Sequence, residues 1–473
     1  MKKIFTLSFG CFLLMMGMAE GQSHLWGTCT SGGVHQSGTI FNTDGNGNNL
    51  NKIYTFNGTL MAVPLGELVF ANNGKFYGTA EYGPCFSYGG CYSYDPSTGV
   101  FTDIHDFDCN PQLGDSVFSG LTIASDGMLY GLCGGGGAHG FGVIFRIDPN
   151  TNNYSDIYDF NFNNGAHPLG TLTQLSDGKL YGMTNTGGSL SDGEIFSFNP
   201  IDSSLSVLHS FSPIGSGGEP FYGGLLKASN GLLYGMAEYG PNNYGVIFSF
   251  NPSTNAYIDV HDFDHTHGYS PLGSLIQASN GLLYGMTASG GSSGYGVIFS
   301  FNPSNNSYSD IFNFNMTNGG NPQRGLMQAT NGLLFGTAFS GGANNYGVFF
   351  SFNIATNTYT DLYDFDAIMG NYPDCSLIEI PDSLTQGIAS ISNKESITIY
   401  PNPATSQLTI SNWQGANGKL SITDIIGNEV YNHEYSQLPL ANFQIDISQW
   451  SNGVYIYQLI NNKETFRGKL IKQ

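Results

Sequence analysis

Residues 274–314 read SLIQASNGLLYGMTASGGSSGYGVIFSFNPSNNSYSDIFNF, and this stretch decides the fold because it recurs along most of the chain. An aromatic residue followed by glycine marks each copy, at steps of 51, 53, 51, 53, 50 and 51 residues. The seven anchors are Trp26-Gly27, Tyr77-Gly78, Tyr130-Gly131, Tyr181-Gly182, Tyr234-Gly235, Tyr284-Gly285 and Phe335-Gly336. Seven copies of about 50 residues are typical of a β-propeller and close to the kelch period, with one copy per blade.

Each copy predicts four β-strands. In the quoted copy they are 274–278, 282–286, 296–301 and 308–314. The third strand shows the period of two clearly, because Val297, Phe299 and Phe301 share one face. Asn, Pro and Ser residues at 302–307 predict the turn into the fourth strand. A four-stranded sheet that is apolar on both faces must pack against a neighbour on each side, which is the situation of a propeller blade.

The first copy begins directly with its second strand, and the chain supplies the missing strand after the last copy. Asn-Gly or Asp-Gly, the strongest short hairpin signal, precedes the anchor in the other six copies. These turns are Asn73-Gly74, Asp126-Gly127, Asp177-Gly178, Asn230-Gly231, Asn280-Gly281 and Asn331-Gly332. Residues 375–380 align with 273–278, so they should pair with the strand of Trp26. We therefore predict an all-β chain with a seven-bladed propeller over residues 24–380, closed by its N- and C-terminal strands. An open solenoid and a six-bladed ring with a loose cap are the alternatives.

The N-terminus predicts export. Lys2 and Lys3 precede a short apolar segment at 4–18, and small residues follow, so residues 1–21 are interpreted as a signal peptide. No other stretch reaches the roughly 18 apolar residues that a membrane-spanning helix needs. The formal charge of −21 makes nucleic acid a poor partner, since a phosphate backbone requires a basic patch.

The mature chain has six cysteines in an oxidising compartment, which favours disulfides. A three-residue turn at 279–281 places Gly273 opposite Thr287, and the equivalent positions of the closing blade are Cys375 and Cys29. We therefore predict a Cys29–Cys375 bridge that locks the ring. Two further bridges are predicted, Cys109–Cys133 and Cys85–Cys91, with free buried cysteines as the alternative for both pairs.

The repeat resembles the GloVer tandem repeat of exported bacterial proteins, a propeller-type repeat, over about residues 24–380. The residues that carry the resemblance best are Tyr284, Gly285, Thr287, Gly290, Gly291, Gly296, Val297, Phe299 and Pro303. The first copy departs most, with Asn42-Thr43-Asp44 in place of the Phe-Asn-Pro of later copies. The resemblance implies a propeller and export but no defined activity.

After a linker at 381–396, residues 397–473 resemble a type A C-terminal sorting domain of the type IX secretion system. The motifs are Tyr400-Pro401-Asn402-Pro403, Ile422-x-Asp424-x-x-Gly427, Gly453-Val454-Tyr455 and a basic end at 469–473. The resemblance implies a small β-sandwich, translocation by the type IX machinery across the outer membrane of a Gram-negative bacterium, removal of the tail, and release or surface anchoring.

An acidic-aromatic box ends the fourth strand of several copies. The boxes are Asp106-Phe107-Asp108, Asp159-Phe160-Asn161, Asp262-Phe263-Asp264, Asn313-Phe314-Asn315 and Asp364-Phe365-Asp366. Such oxygens suit Ca²⁺, but the pattern lacks the spacing of a known calcium loop, and we favour turn capping by hydrogen bonds to backbone N–H groups. We therefore predict no cofactor, with Ca²⁺ as the alternative.

Few residues are candidates for a functional site. His105, His209 and His261 occupy a position held elsewhere by Tyr or Phe, which favours packing. His265 and His267 lie near Asp264 in a loop and are weak candidates for a metal or acid/base group. Glu81 and Glu238 recur in Glu-Tyr-Gly-Pro and could serve glycoside hydrolysis if about 5–10 Å apart, although three blades separate them.

The sequence therefore favours a non-enzymatic exported protein whose loops after the second strand bind a ligand, with extracellular glycan as the candidate and protein as another. An extracellular glycan hydrolase or lyase using the same face is one alternative, and a structural adhesin is another. Catalytic propellers usually break the repeat symmetry in one sector, and in the sequence only the His265–His267 loop does so visibly.

Overall fold

The computed structural model describes residues 23–83, 89–107, 114–212, 217–385, 398–400, 404–411, 418–424, 428–435, 443–461 and 465–472. These residues are almost entirely β-strand. The chain divides into two compact units, the larger of which ends at Ser383. The predicted signal peptide and residues 386–396 of the predicted linker lie outside the described residues.

The described strands of the larger unit form seven four-stranded antiparallel sheets, numbered here in chain order. Sheet 1 contains β1 (Ser23–Cys29), β2 (Thr39–Asp44) and β3 (Asn51–Thr55); sheet 2 contains β4 (Ala62–Phe70), β5 (Phe76–Tyr82), β6 (Gly90–Asp95) and β7 (Val100–Asp106); sheet 3 contains β8 (Thr122–Ile123), β9 (Leu129–Cys133), β10 (Val143–Asp148) and β11 (Asn153–Asp159); sheet 4 contains β12 (Thr173–Gln174), β13 (Leu180–Thr184), β14 (Glu194–Asn199) and β15 (Ser204–Ser210). Sheet 5 contains β16 (Leu226–Lys227), β17 (Leu233–Ala237), β18 (Val246–Asn251) and β19 (Ala256–Asp262); sheet 6 contains β20 (Ile276–Gln277), β21 (Leu283–Thr287), β22 (Val297–Asn302) and β23 (Ser307–Asn313); sheet 7 contains β24 (Met327–Gln328), β25 (Leu334–Ala338), β26 (Val348–Asn353) and β27 (Thr358–Asp364). Strand β28 (Ile378–Pro381) pairs with β1 as the fourth strand of sheet 1, and a short helix α1 (Asp382–Thr385) follows.

The turn between the first two strands of a sheet has the predicted three-residue form. In sheet 6 the N–H of Ala278 donates to the carbonyl of Leu282 (3.0 Å), and the N–H of Gly281 donates to the carbonyl of Ala278 (2.8 Å). Gly281 has a φ of +83°, a conformation that only glycine adopts without strain. The side chain of Asn280 accepts from the N–H of Leu282 (3.1 Å) and donates to the hydroxyl of Tyr284 (2.8 Å). These contacts explain why Asn-Gly recurs at this point.

Each sheet buries both of its faces against other sheets. Seven clusters of buried apolar side chains lie between successive sheets, and one of them joins sheet 7 to sheet 1. Trp26 of sheet 1 packs on Phe76 of sheet 2 with ring centroids 4.5 Å apart. On the other face of sheet 1, Phe41 lies 5.3 Å from Phe365, which follows β27. The all-β architecture of four-stranded antiparallel sheets is therefore consistent with the predicted propeller.

The cysteines differ from the prediction. Strand β28 pairs with β1 from Ser23–Pro381 to Trp26–Ile378, and this register, if continued, would place Cys375 opposite Cys29 as expected. However, the described cysteines Cys29, Cys91, Cys133 and Cys375 are all free thiols, so the predicted Cys29–Cys375 bridge is absent from this structure.

The geometry at the end of the ladder explains that absence. Pairing stops before Cys375 is reached, and its Sγ instead accepts a hydrogen bond from the N–H of Thr28 (3.2 Å). Burial raises the pKa of the Cys375 thiol to about 12. Cys91 and Cys133 are free and buried as well, so the predicted Cys85–Cys91 and Cys109–Cys133 bridges are also absent from this structure, and the alternative of free buried cysteines holds for these two residues. Their expected partners, Cys85 and Cys109, lie outside the described residues.

The three equivalent histidines pack as predicted. Each stacks on a tyrosine from the fourth strand of the next sheet, with centroids 3.7 Å apart for His105–Tyr154, 4.1 Å for His209–Tyr257 and 4.0 Å for His261–Tyr308. In the following sheet Phe312 stacks on Tyr359 in the same way, at 4.0 Å. Burial lowers the pKa of all three imidazoles, to about 4 for His261.

The smaller unit contains two antiparallel sheets. One consists of β29 (Thr398–Tyr400), β30 (Gln407–Ser411) and β33 (Phe443–Asp446), and the other of β32 (Glu429–Tyr435), β31 (Gly418–Asp424), β34 (Gly453–Asn461) and β35 (Thr465–Lys472). Leu408 and Ile445 of the first sheet share one core with Leu420 and Ile422 of the second. This arrangement agrees with the expected β-sandwich. No helix in the described part of the chain is long and apolar enough to span a bilayer.

Replacing Leu377 by alanine tests the packing of sheet 1 on sheet 7. Leu377 is buried (5% exposed) in the cluster shared by these sheets, and Leu275 occupies the equivalent position in sheet 6 (3% exposed). Both Leu377→Ala and Leu275→Ala should lower the free energy of unfolding by about 2–5 kcal/mol, because each leaves a cavity in a packed interface. Urea unfolding of the full chain measures this. A loss well under 1 kcal/mol for Leu377→Ala alone would contradict firm packing of the closing strand.

Replacing His261 by phenylalanine, the residue at the equivalent position 312, tests the histidine stack. In the unfolded chain this imidazole has its ordinary pKa of 6.5 and binds a proton below that pH. In the folded chain burial lowers the pKa to about 4. The charge of His267 contributes to this decrease, and the charge of Asp264 opposes it. Stability therefore falls as the pH drops from 6.5 towards 4. As the pH falls from 6.5 towards 4, the free energy of unfolding of His261→Phe should increase relative to that of the parent chain. Urea unfolding at a series of pH values measures this difference. The reverse change Phe312→His should add acid sensitivity, and a pH-independent difference in both would refute the account.

Candidate functional site

The segments that precede the first strands approach one another closely. In sheets 4, 5 and 6 the residue that lies two positions before Leu275 or its equivalent is glycine: Gly170, Gly223 and Gly273. A Cβ on Gly170 would lie 2.2 Å from the carbonyl oxygen of Gly223, and one on Gly223 would lie 2.4 Å from that of Gly273. Glycine is therefore required here because neighbouring backbones are in contact.

Arg324 occupies the same position in sheet 7 and breaks this pattern. Its guanidinium is 5% exposed and forms two hydrogen bonds with the carboxylate of Asp374, Nε to Oδ1 at 2.7 Å and Nη2 to Oδ2 at 3.0 Å. Nη1 donates to the carbonyl of Phe118 (3.3 Å), which precedes the first strand of sheet 3. Burial acts to lower the pKa of Arg324, but the charge of Asp374 and its hydrogen bonds with the guanidinium contribute to a net increase in this pKa. One side chain thus links sheets 7, 1 and 3.

Tyr222 brings sheet 5 to the same point. The guanidinium carbon of Arg324 lies 4.0 Å from the centroid of the Tyr222 ring, a cation–π contact. Burial raises the pKa of the Tyr222 hydroxyl; the charge of Arg324 lowers it, and those of Asp374, Glu81 and Glu238 raise it. The charges of the two glutamates predicted from the sequence, one in sheet 2 and one in sheet 5, thus both raise the pKa of this half-buried tyrosine.

Glu81 and Glu238 occupy equivalent places on their sheets. Glu81 lies at the end of β5 and Glu238 directly follows β17, and both side chains are half-buried. Burial raises the pKa of both carboxyl groups; the charge of Asp374 adds to this for Glu81 and that of Glu219 for Glu238. We call the set of Glu81, Tyr222, Glu238, Arg324 and Asp374 the Arg324 cluster.

The surroundings of the Arg324 cluster are acidic. Burial and, to a smaller extent, the charge of Glu219 raise the pKa of Glu238. Burial also raises the pKa of Glu219, and the charge of Asp192 adds to this effect. The N–H of Glu219 donates to the carbonyl of Asp192 (3.0 Å), which holds the two segments together. Carboxylates thus outnumber the single guanidinium, so the cluster disfavours anionic ligands.

A cavity of ≈ 420 Å³ lies along the first strands, next to the place where the backbones approach one another closely. Polar side chains line it together with apolar ones, among them Glu67, Thr171, Lys227, Ser274, Gln328 and Ser376. Two of the hydroxyls have structural roles: Ser274 accepts from the N–H of Gly224 (2.9 Å) and Ser376 from the N–H of Gly325 (3.0 Å). These bonds tie successive sheets together beside the cluster.

The structure does not bring His265 and His267 together with a common partner. Both lie in the exposed loop after β19. The Nδ1 atom of His267 is 2.9 Å from the carboxylate of Asp264, a contact that raises the pKa of His267, whereas the ring of His265 stacks on Tyr269 at 5.3 Å. Within the described residues, no three His, Cys, Asp or Glu side chains form a group that could hold a metal ion. The structure thus pairs His267 with Asp264 and not with His265, and the metal or acid/base group suggested for this loop stays a prediction.

The acidic-aromatic boxes cap turns. Asp264 accepts from the N–H groups of Thr266 (2.8 Å) and His267 (2.7 Å), and Asp366 accepts from those of Ile368 (2.8 Å) and Met369 (2.7 Å). These bonds are the turn-capping contacts that were favoured over a calcium site.

Sequence reasoning missed Arg324, Asp374 and Tyr222. The signal was present, because Arg324 replaces the glycine of other copies and Asp374 replaces Leu272 or Leu169 at its own position. The seven sheets are therefore not alike at the Arg324 cluster, contrary to the expectation that only the His265–His267 loop departs from the repeat. Their meeting point could not be inferred because Arg324 and Phe118 are 206 residues apart.

The structure thus defines a repeat protein of four-stranded antiparallel sheets with a separate two-sheet unit at its C-terminus. Residues 15–240 and 176–398 match the Gloeobacter/Verrucomicrobia repeat, and the chain belongs to this family. Residues 398–473 match the secretion system C-terminal sorting domain. The protein is accordingly handled by the type IX secretion system and is secreted or located at the outer-membrane surface. No curated protein matches the chain in sequence.

Solved structures share the fold at low identity. A provisionally assigned 6-phosphogluconolactonase of Bacteroides uniformis has a TM-score of 0.53 and 16% identity, with 76% of this chain and 99% of that chain covered. A second such protein, from Bacteroides fragilis, has a TM-score of 0.53 and 15% identity, with 77% and 99% covered. PorZ, a surface component of the type IX secretion system of Porphyromonas gingivalis, has a TM-score of 0.41 and 14% identity, with 92% and 56% covered. At these identities the first two similarities show only a shared fold, and the third, with its TM-score of 0.41, supports no conclusion.

A double-mutant cycle at Arg324 and Asp374 tests the buried pair. Arg324→Gly and Asp374→Leu each introduce the residue of other repeats but leave one uncompensated buried charge, so each should cost about 3–5 kcal/mol in unfolding free energy. The combined variant should recover most of that loss, because no unpaired charge remains. Urea unfolding of the four chains gives the coupling energy. Losses that simply add, within about 0.5 kcal/mol, would show that the two side chains do not depend on each other.

Proposed function

We propose that the larger unit is a closed seven-bladed propeller that acts as a binding module at the cell surface or in the medium, and that its ligand is an uncharged glycan held at the Arg324 cluster. The single observation that carries the proposal is the convergence of three non-repeated polar side chains from sheets 7, 1 and 5 on one point: Arg324, Asp374 and Tyr222. In a protein built from near-identical repeats, such convergence has no role in the repeated packing.

Closure is supported by contacts on both faces of sheet 1. Strand β28 pairs with β1, and the cluster containing Leu25, Phe41 and Leu377 also contains Phe335 and Phe349 of sheet 7. A seven-membered ring accounts for these contacts together with the six clusters between the other successive sheets. An open array would leave one apolar face exposed at each end.

The chemistry of the cluster favours an uncharged sugar. Half-buried carboxylates accept hydrogen bonds from sugar hydroxyls, and tyrosine rings offer a flat apolar face for the C–H side of a pyranose. Tyr82, which is 38% exposed, and Tyr239 follow the two glutamates directly. The excess of carboxylates disfavours uronic acids and sulfated sugars. A few polar groups among aromatic rings are the usual composition of a small-ligand site.

A glycan array with the purified mature chain tests this proposal, followed by calorimetry on each hit. Glu81→Gln and Glu238→Gln should each weaken binding about 10–100-fold, because a hydrogen bond to a charged acceptor contributes about 1.5–3 kcal/mol. The matched control is His265→Ala/His267→Ala, which alters the exposed loop after β19 and should leave the affinity unchanged.

Three outcomes would contradict the proposal. Binding that survives both glutamine variants would place the ligand elsewhere, and loss of binding in the histidine control would move the site to that loop. Failure to bind any uncharged glycan would leave the larger unit as a presenting surface, as in an adhesin. A parallel turnover assay on the hits separates binding from hydrolysis or lysis, and product formation abolished by Glu81→Gln would establish an enzyme instead.

A further inference from the structure

The cavity along the first strands has two charged side chains of opposite sign in its lining. Its volume of ≈ 420 Å³ is suited to a ligand of small-molecule size. The lining residues come from sheets 1, 2, 4, 5, 6 and 7, and the charged ones among them are Glu67 of sheet 2 and Lys227 of sheet 5. Within the described residues, neither of these two side chains forms an ion pair. Both charges therefore remain available to a molecule in the cavity.

Glu67 departs from the repeat at a position that is otherwise small and uncharged. The position lies directly before Leu275 or its equivalent, and a Cβ on Gly120 of sheet 3 would be 3.2 Å from the backbone N of Glu67, so the two residues are level. At the same level, Ser274 and Ser376 each accept a backbone N–H from the preceding sheet and keep their own O–H proton to donate. Glu67 thus adds a carboxylate to a set of hydroxyl donors. The other six residues at this position are Gly120, Thr171, Gly224, Ser274, Gly325 and Ser376.

Lys227 replaces the acceptor of a repeated hydrogen bond. In sheets 4, 6, 7 and 1 the side-chain oxygen at this position accepts the N–H of a turn residue in the preceding sheet, at 2.7, 2.7, 2.8 and 2.8 Å. A lysine side chain has no acceptor atom, so Lys227 cannot form this bond. Its side chain is exposed and supplies a cation at its end of the cavity. The residues that accept in the other four sheets are Gln174, Gln277, Gln328 and Glu379.

The two charges lie at different levels of the cavity. Glu67 precedes the leucine of its first strand by one position, and Lys227 follows the leucine of its own strand by two. At about 3.3 Å per residue, these three positions separate the two backbone levels by roughly 10 Å along the strand direction. Partly exposed apolar side chains lie between the levels, from Leu226, Ile276 and Met327. The cavity therefore combines a carboxylate at one end, a cation at the other and apolar walls between them.

We infer that this cavity binds a short linear peptide with free termini, with the peptide's ammonium at Glu67 and its carboxylate at Lys227. An extended tripeptide is about 10 Å long, which matches the separation of the two levels. Its carbonyl groups are acceptors for the hydroxyls of Ser274 and Ser376, and an apolar middle side chain contacts the wall at Met327. An alkyl chain with the same two end charges would leave those hydroxyls without a partner. The cavity is a second site, and its occupation does not depend on the glycan proposed for the Arg324 cluster.

Isothermal titration of the full mature chain with the tripeptide Ala-Leu-Ala tests this inference. The free peptide should bind once per protein. Its N-acetylated and C-amidated forms should each bind about 10–100-fold more weakly, because each has lost a charge-assisted hydrogen bond. The comparator ω-aminooctanoic acid carries both charges at a similar separation with only methylenes between them, and it should bind about 10-fold more weakly than the free peptide because it has no carbonyl acceptors along its length.

Two variants that install the residue of equivalent positions locate the ends of the peptide. Glu67→Ser introduces the residue of sheets 6 and 1, and Lys227→Gln that of sheets 4, 6 and 7. Glu67→Ser should abolish the difference in affinity between the free and acetylated peptides, and Lys227→Gln the difference between the free and amidated peptides. Thermal unfolding checks that both variants remain folded. Glu81→Gln, at the Arg324 cluster, is the matched control and should leave the peptide affinity unchanged.

Absence of binding by the free tripeptide, or equal affinity for the free and capped peptides, would overturn the inference. Discrimination between these peptides that persists in Glu67→Ser and Lys227→Gln would place the peptide outside the cavity, as would loss of binding in Glu81→Gln. Equal binding of ω-aminooctanoic acid would overturn the assignment to a peptide. A chain that binds the tripeptide but no glycan would contradict the proposed glycan ligand alone, so the two failures are distinguishable.

Discussion

Packing of sheet on sheet is the interaction on which the larger unit depends. Each four-stranded sheet is apolar on both faces, so no sheet can be stable alone and each must find a neighbour on both sides. The first sheet illustrates the constraint, because its outermost contacts are made with residues more than 300 positions away, such as Phe41 with Phe365. The third strands supply many of the fully buried aromatic rings, including Phe248, Phe299 and Phe350. This demand explains why the repeats are so alike where they face one another.

The same constraint creates the site. When successive sheets pack closely, the segments before their first strands converge until backbones touch, and glycine is required at Gly170, Gly223 and Gly273. A large side chain at this position has nowhere to go except across the convergence point. Arg324 takes that route, and its charge is balanced by Asp374. A buried ion pair is weak evidence for stability, since apolar replacements are often neutral or better. Stability alone therefore does not account for the pair.

Much of the larger unit could be predicted from the sequence because its determinants are local and repeated. Asn280-Gly281 specifies the turn, and the turn fixes the register that the structure shows. The prediction of a Cys29–Cys375 disulfide was wrong, because the register of two strands does not determine where their pairing ends. The pairing of β28 with β1 stops three residues before Cys375. The site was only half predictable. Glu81 and Glu238 stood out by their motif, but their relation to Arg324 depends on which segments meet, and that follows from packing between distant sheets.

Repetition also separates packing from recognition. His105, His209 and His261 stack on tyrosines in the same way as Phe312, so their chemistry adds nothing that a phenylalanine does not supply. The position of Glu81 behaves differently, because its occupants range from glycine to phenylalanine and make different contacts. Asn185 donates to the carbonyl of Pro220 (3.2 Å), and Phe339 stacks on Tyr372 with ring centroids 5.2 Å apart. The Arg324–Asp374 pair departs further from the repeat, because both side chains are buried and neither recurs at its position in another repeat, so the repeated packing does not account for it.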